Sequence, residues 1–99
     1  MNNQIRKELK TLSAKIAQLN EELSGVKFQA NELADELQTI IDVEQEAYDG
    51  LSDNAQSGKR GQAIEQAIEA MQEAFRALEY VYDVNDLDGA IESLEQAQA

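Results

Sequence analysis

Ile5-Arg6-Lys7-Glu8-Leu9-Lys10-Thr11-Leu12-Ser13-Ala14-Lys15-Ile16 opens a stretch, running to about Ala47, in which apolar residues return at alternating gaps of four and three as far as Ile40. The series Ile5, Leu9, Leu12, Ile16, Leu19, Leu23, Val26, Ala30, Leu33, Leu37, Ile40 contains no slip, and no proline interrupts it. A repeat of 3.5 residues held for about six heptads is the seam of a supercoiled helix. Such a helix needs a partner helix along its length. With Ile5 at heptad position d, position a holds Leu9, Ile16, Leu23, Ala30, Leu37 and Glu44, and d holds Ile5, Leu12, Leu19, Val26, Leu33, Ile40 and Ala47. The expected cover is a second copy, with Ile5, Leu9, Leu12, Ile16, Leu19, Leu23, Val26, Leu33, Leu37 and Ile40 as the homodimer seam. The pairing direction stays open: a parallel pair gains Glu22 with Lys27, and an antiparallel one could set Lys15 against Glu22.

The residues beside the seam change character along it. Up to Val26 they are Arg6, Glu8, Ser13, Lys15, Asn20, Glu22 and Lys27, a narrow seam suited to one partner helix. Beyond it come Ala34, Ile41, Val43 and Tyr48, so the buried face widens and more than one helix must pack there. Ser24-Gly25 is the weak point, because glycine costs about 1 kcal/mol against alanine inside a helix. The pair falls on the outer b and c positions and the seam stays in phase, so one helix over 4–49 is expected. Phe28, at f, then points outward as a candidate contact. Glu44, at a, marks where the seam opens.

From Gly50 to Gly61 the periodicity stops. Gly50-Leu51-Ser52-Asp53-Asn54 and Ser57-Gly58-Lys59-Arg60-Gly61 carry turn residues, with Ser57 a candidate N-cap. The expectation is a loop over 50–61 between antiparallel helices, with Lys59 and Arg60 at its tip as a solvated pair or a recognition point. A second helix over 62–83 has its own seam: Ile64, Ile68, Met71, Phe75, Leu78 and Tyr82. Beside it run Ala63, Ala67, Ala70, Ala74, Ala77 and Val81, small enough to suggest burial in a bundle. Glu65, Glu69 and Glu73 stand outside at four-residue intervals, followed by Glu79 and Asp83. A short helix over 86–98, capped by Asn85 or Asp86, is expected to fold back on the bundle. Asp86, Asp88, Gly89, Ile91 and Glu95 match part of a calcium-binding loop, but Val84 stands where the first ligand belongs and the helical spacing from Leu87 continues. A capped helix is the better reading, and no cofactor is expected.

Composition removes whole classes of chemistry. The chain has no Cys, His, Trp or Pro, so disulfides, thiolate or imidazole metal sites and Cys or His catalysis are excluded. No apolar run approaches the roughly 20 residues of a membrane span, and the start Met1-Asn2-Asn3-Gln4 has no signal-peptide character. A cytoplasmic protein without catalytic residues is expected. Of the net charge of −12, residues 1–27 contribute +2 and residues 28–99 contribute −14. That acidity argues against nucleic acid as a ligand and for a partner with a basic surface, although it also serves solubility.

The segment from Gln45 through Tyr48-Asp49-Gly50-Leu51 to Gln56-Ser57-Gly58-Lys59-Arg60-Gly61, with the Ala-, Ile- and Glu-rich helix after it, resembles the C-terminal half of small acidic phage and prophage proteins. It departs from them at Gly50, where Asn is usual, and at Ser52, where Pro is usual. The resemblance implies a viral origin and a protein that binds and disables a host protein. The fold expected is all-α: one domain of long helix, antiparallel second helix and short last helix, dimerised into a bundle. The function expected is inhibition of a host defence or nucleic-acid-binding protein, with Glu65, Glu69, Glu73, Glu79 and Asp83 mimicking a nucleic acid. The alternative is a structural or adaptor coiled coil, such as a phage assembly factor.

Overall fold

A computed structural model describes residues 2–98, which leaves Met1, the head of the Met1–Gln4 start, and Ala99 outside it. Every regular element among the described residues is a helix: α1 Asn3–Asp49, α2 Asp53–Gln56, α3 Lys59–Asp83 and α4 Asp88–Ala97. Asn2 caps α1, its side chain accepting from the Ile5 N–H at 2.8 Å. The helix then runs unbroken through Ser24 and Gly25. At c, Gly25 faces open space.

The contacts between α1 and the rest of the chain order themselves along the rod. Tyr48 meets Glu65, Lys27 meets Val84, and Asn20 meets Leu87 and Asp88. Partner numbers climb as those of α1 fall, so α3 and then α4 retrace it toward its start. The result is a thin rod of 76 × 17 × 14 Å. The last helix therefore does not fold back on a bundle as the residue pattern suggested. It continues the direction of α3 and covers the N-terminal half of α1.

The link is also more structured than a loop over 50–61. Ser52 caps the single turn α2 by accepting from the Ala55 N–H, and the Ser57 hydroxyl closes that turn by donating to the Asp53 carbonyl. Ser57 thus ends α2 and does not cap α3. Gly58 occupies that cap position, and Lys59, Arg60 and Gly61 form the first turn of α3. Gly61 is buried where α3 crosses the end of α2.

Two helices side by side give one narrow seam. Only Ala30, Ala34, Ile41 and Ile68 are buried apolar residues among those described, and no large side chain is fully enclosed. On α3 the half-buried or buried residues Ile64, Ile68, Met71, Phe75, Leu78 and Val81 face α1, while Tyr82, assigned to that seam, is 48% exposed. On α4, Leu87, Ile91 and Leu94 do the same.

Candidate interaction surfaces

The heptad on α1 divides between two faces. Partly or fully buried along its length are Leu9, Ser13, Ile16, Asn20, Leu23, Lys27, Ala30, Ala34, Leu37, Ile41, Glu44 and Tyr48, which are the a and e positions. These meet α3 and α4 of the same chain. The d column stays open: Ile5, Leu12, Leu19, Val26, Leu33 and Ile40 keep 42–54% of their surface exposed, and Val43 beside them keeps 59%. The seam read as one dimer surface is thus two surfaces. Leu9, Ile16, Leu23 and Leu37 pack within the chain, and the six d residues are left uncovered by the described residues.

Helix geometry fixes where that column looks. At about 100° per residue, d lies about 80° from the a/e face that meets α3. On α3 the column Ala63, Ala67, Ala70, Ala74 and Ala77 lies about 100° from its own packed face. Because the two helices run in opposite directions, both offsets turn to the same side of the rod. The alanines are exposed. Within one chain no helix among the described residues covers these alanines, and they extend the apolar strip of leucine, isoleucine and valine into a flat face. Ala90 and Ala97, one exposed and one at the end of α4, carry it along that helix.

The opposite side is polar. Glu65, Glu69, Gln72, Arg76, Glu79 and Asp83 share one flank of α3, beside Gln38 and Gln45 of α1. Gln45, Tyr48, Glu65, Ile68, Glu69 and Gln72 line an open depression there. Glu73 points away from α1, at the outer back of α3. Tyr48 donates its hydroxyl to Glu65 Oε1, and that hydrogen bond, with loss of hydration and the nearby charges of Glu65 and Asp49, raises its pKa above the ordinary tyrosine value. Lys59 and Arg60, at the start of α3, stand at the turn end, and Phe28, 63% exposed, projects from f at mid-rod. The proposed contact residues therefore fall in four places and make no single site.

Asn20 and Lys27, which the heptad pattern marks only as polar flanks of the seam, hold the far half of the rod together. Asn20 accepts the Leu87 N–H at 2.7 Å and donates to Asp88 Oδ1 at 3.0 Å, which supplies a cap for α4 from across the rod. The expected local caps do less: Asp86 accepts only the Asp88 N–H, and α4 begins without a side-chain cap of its own. Lys27 donates to the Val84 carbonyl at 2.6 Å at the end of α3, with its ammonium 5.9 Å from the Tyr82 ring centre. Every e residue from Arg6 to Lys27 is polar, so the heptad pattern carried no signal that singles out either one. From Asp88 onward the chain is regular helix, which cannot wrap an ion, and no three potential metal ligands converge among the described residues. No helix among those residues is long and apolar enough to cross a membrane.

No family model, curated protein or solved structure matches this chain.

Proposed function

We propose that this protein is a self-associating, non-catalytic binding rod, two copies pairing through their apolar faces and turning their acidic faces outward. The observation that carries the reading is the separation of the two kinds of surface: every uncovered d residue lies on one side of the rod, and the carboxylates of Glu65, Glu69, Glu79 and Asp83 lie on the other. Covering the exposed half of one Leu, Ile or Val is worth about 1 kcal/mol, so twelve such residues in a dimer supply on the order of 10 kcal/mol before association entropy is subtracted. A hairpin with so thin a core gains its stability that way.

The outward face suits a partner with a basic surface, and the resemblance to acidic phage proteins makes a host protein that handles nucleic acid the expected target. Glu65, Glu69, Glu79 and Asp83 would carry that contact, with Glu73 at its edge. Long-range attraction of this kind weakens as salt screens it. The rod shape, 76 Å long and 17 Å wide, favours a second reading as a structural adaptor whose ends, Lys59 and Arg60 or the basic start of α1, make the contacts.

Sedimentation at micromolar concentration tests the pairing: a dimer is expected for the native chain and a monomer for L19E/L33E. Partner capture from bacterial lysate at low and high salt, with native protein and with E65K/E69K/E79K, then separates the readings. The acidic-face reading expects the same dimer and helix content with loss of a salt-sensitive partner. Unchanged capture by the reversed variant would leave only the adaptor.

A further inference from the structure

We infer that the two copies pair antiparallel, apolar face to apolar face, with α1 lying on α1 of the second copy and Val26 on Val26 at the two-fold axis. The inference rests on the pairing proposed above and adds its direction and register. In that register the d residues meet as Ile5 with Ala47, Leu12 with Ile40, Leu19 with Leu33 and Val26 with itself, so no apolar residue of the column is left beyond an end. The footprint, from Ile5 to Ala47, is about 63 Å long at 1.5 Å per residue and one rod wide, about 1,100 Å² per copy, which exceeds the roughly 800 Å² per partner of a stable complex.

Charge decides the direction. The turn end of the rod, residues 28–83, holds thirteen carboxylates and three cations, net −10; the two terminal segments together hold the remaining −2. Parallel copies stack the two −10 ends on each other. Antiparallel copies lay each over the nearly neutral end of the other, a preference that acts through the field of the whole molecule.

The outer flank agrees. In the antiparallel register the g residues face each other, Lys15 near Glu36 of the second copy and Glu22 near Gln29, each pair occurring twice. Turning one copy over so that α1 lies on the second copy's α3 sets large side chains against alanines, a favourable fit of shapes. That arrangement also brings Glu36 beside Glu73 and Glu22 beside Asp86. A direct parallel pairing of the two α1 helices would draw on Glu22 with Lys27, and Lys27 is already committed to the Val84 carbonyl and the Tyr82 ring.

The chain has no cysteine, so single substitutions report the geometry cleanly. Under mild oxidation V26C should form a covalent dimer, because a disulfide closes only across a short Cα separation near the axis. L12C alone and I40C alone should not crosslink, while their equimolar mixture should. As a second measurement, K15E should weaken the dimer about tenfold, from two symmetric pairs at about threefold each, and K15E/E36K should restore it. Self-crosslinking of L12C would overturn the direction in favour of parallel α1 helices. A sedimenting dimer in which V26C does not crosslink would overturn the laying of α1 on α1 in this register. A native chain that sediments as a monomer would remove the pairing itself, a failure separate from either.

Discussion

Glycine to alanine at two helical positions should change stability in opposite directions. At Gly25 an added Cβ meets nothing within 4 Å. The substitution there gains helix propensity alone, about 1 kcal/mol. At Gly61 the same Cβ would stand 2.5 Å from the Gln56 carbonyl carbon and 2.6 Å from its Cα, closer still to the carbonyl oxygen. Backbone has to give way by about 1 Å to restore ordinary contact in a packed interior. Gln56 is poorly placed to move, since its N–H donates to the Ser52 carbonyl at 2.8 Å and its side chain donates to the Tyr48 carbonyl at 3.1 Å. Overpacking of this kind costs about 1–3 kcal/mol and outweighs the propensity gained in the first turn of a helix. For a chain of this size each kcal/mol moves Tm by about 4–8 °C, so G61A should melt about 5–15 °C below the native protein and G25A about 5 °C above it. Far-UV circular dichroism melts at one fixed protein concentration make the comparison, because association shifts Tm by mass action. A G61A protein that melts at or above the native temperature would refute the close crossing of α2 and α3, and with it the account of how the chain reverses.

Three other perturbations follow from single contacts. Ser13 Oγ is buried against the rod interior without a hydrogen-bond partner, so S13A should stabilise by about 1 kcal/mol in urea titration; a loss of stability would mean that the hydroxyl is satisfied. N20A removes the cap on α4 and leaves the Leu87 N–H without its acceptor, at a cost of about 1–2 kcal/mol. Hydrogen exchange should then quicken in Asp88–Ala97 more than in α3, and a uniform change along the chain would contradict that assignment. The Tyr48 pKa is raised by its donation to Glu65, so the stability that bond contributes is present below the unfolded tyrosine value of about 10 and is lost as pH climbs through the raised folded value. Spectrophotometric titration should show one of the three tyrosines ionising later than the others, and Y48F should abolish that late step.

The pairing proposed above would make folding and association parts of one equilibrium. Within a chain the a and e residues find α3 and α4, and the reward among the described residues is a core of four apolar side chains with no large one enclosed. The d residues contribute only when another surface arrives. Melting should therefore depend on protein concentration.

The pattern of residues alone determined that Ile5 to Ala47 forms one helix, since its apolar spacing passes through Ser24-Gly25 in phase and no proline stops it. It likewise determined a second amphipathic helix over 62–83, whose carboxylates lie off the packed face, although Tyr82 at the end of its seam is exposed and the helix begins at Lys59. What it could not determine is which side of the first seam meets which neighbour. A 3.5-residue repeat states that a stripe must be covered and carries no information about whose atoms cover it. Only the return of α3 and α4 along α1 assigned a and e to the chain itself and left d open. The roles of Asn20, Lys27 and Gly61 were hidden for the same reason: each depends on backbone groups remote in sequence or on a crossing angle, and such distances exist only once the chain has doubled back. Lys59 and Arg60 looked like loop residues because Gly58 and Gly61 flank them; tertiary packing against α2 made Gly61 part of a helix by exploiting the side chain it lacks.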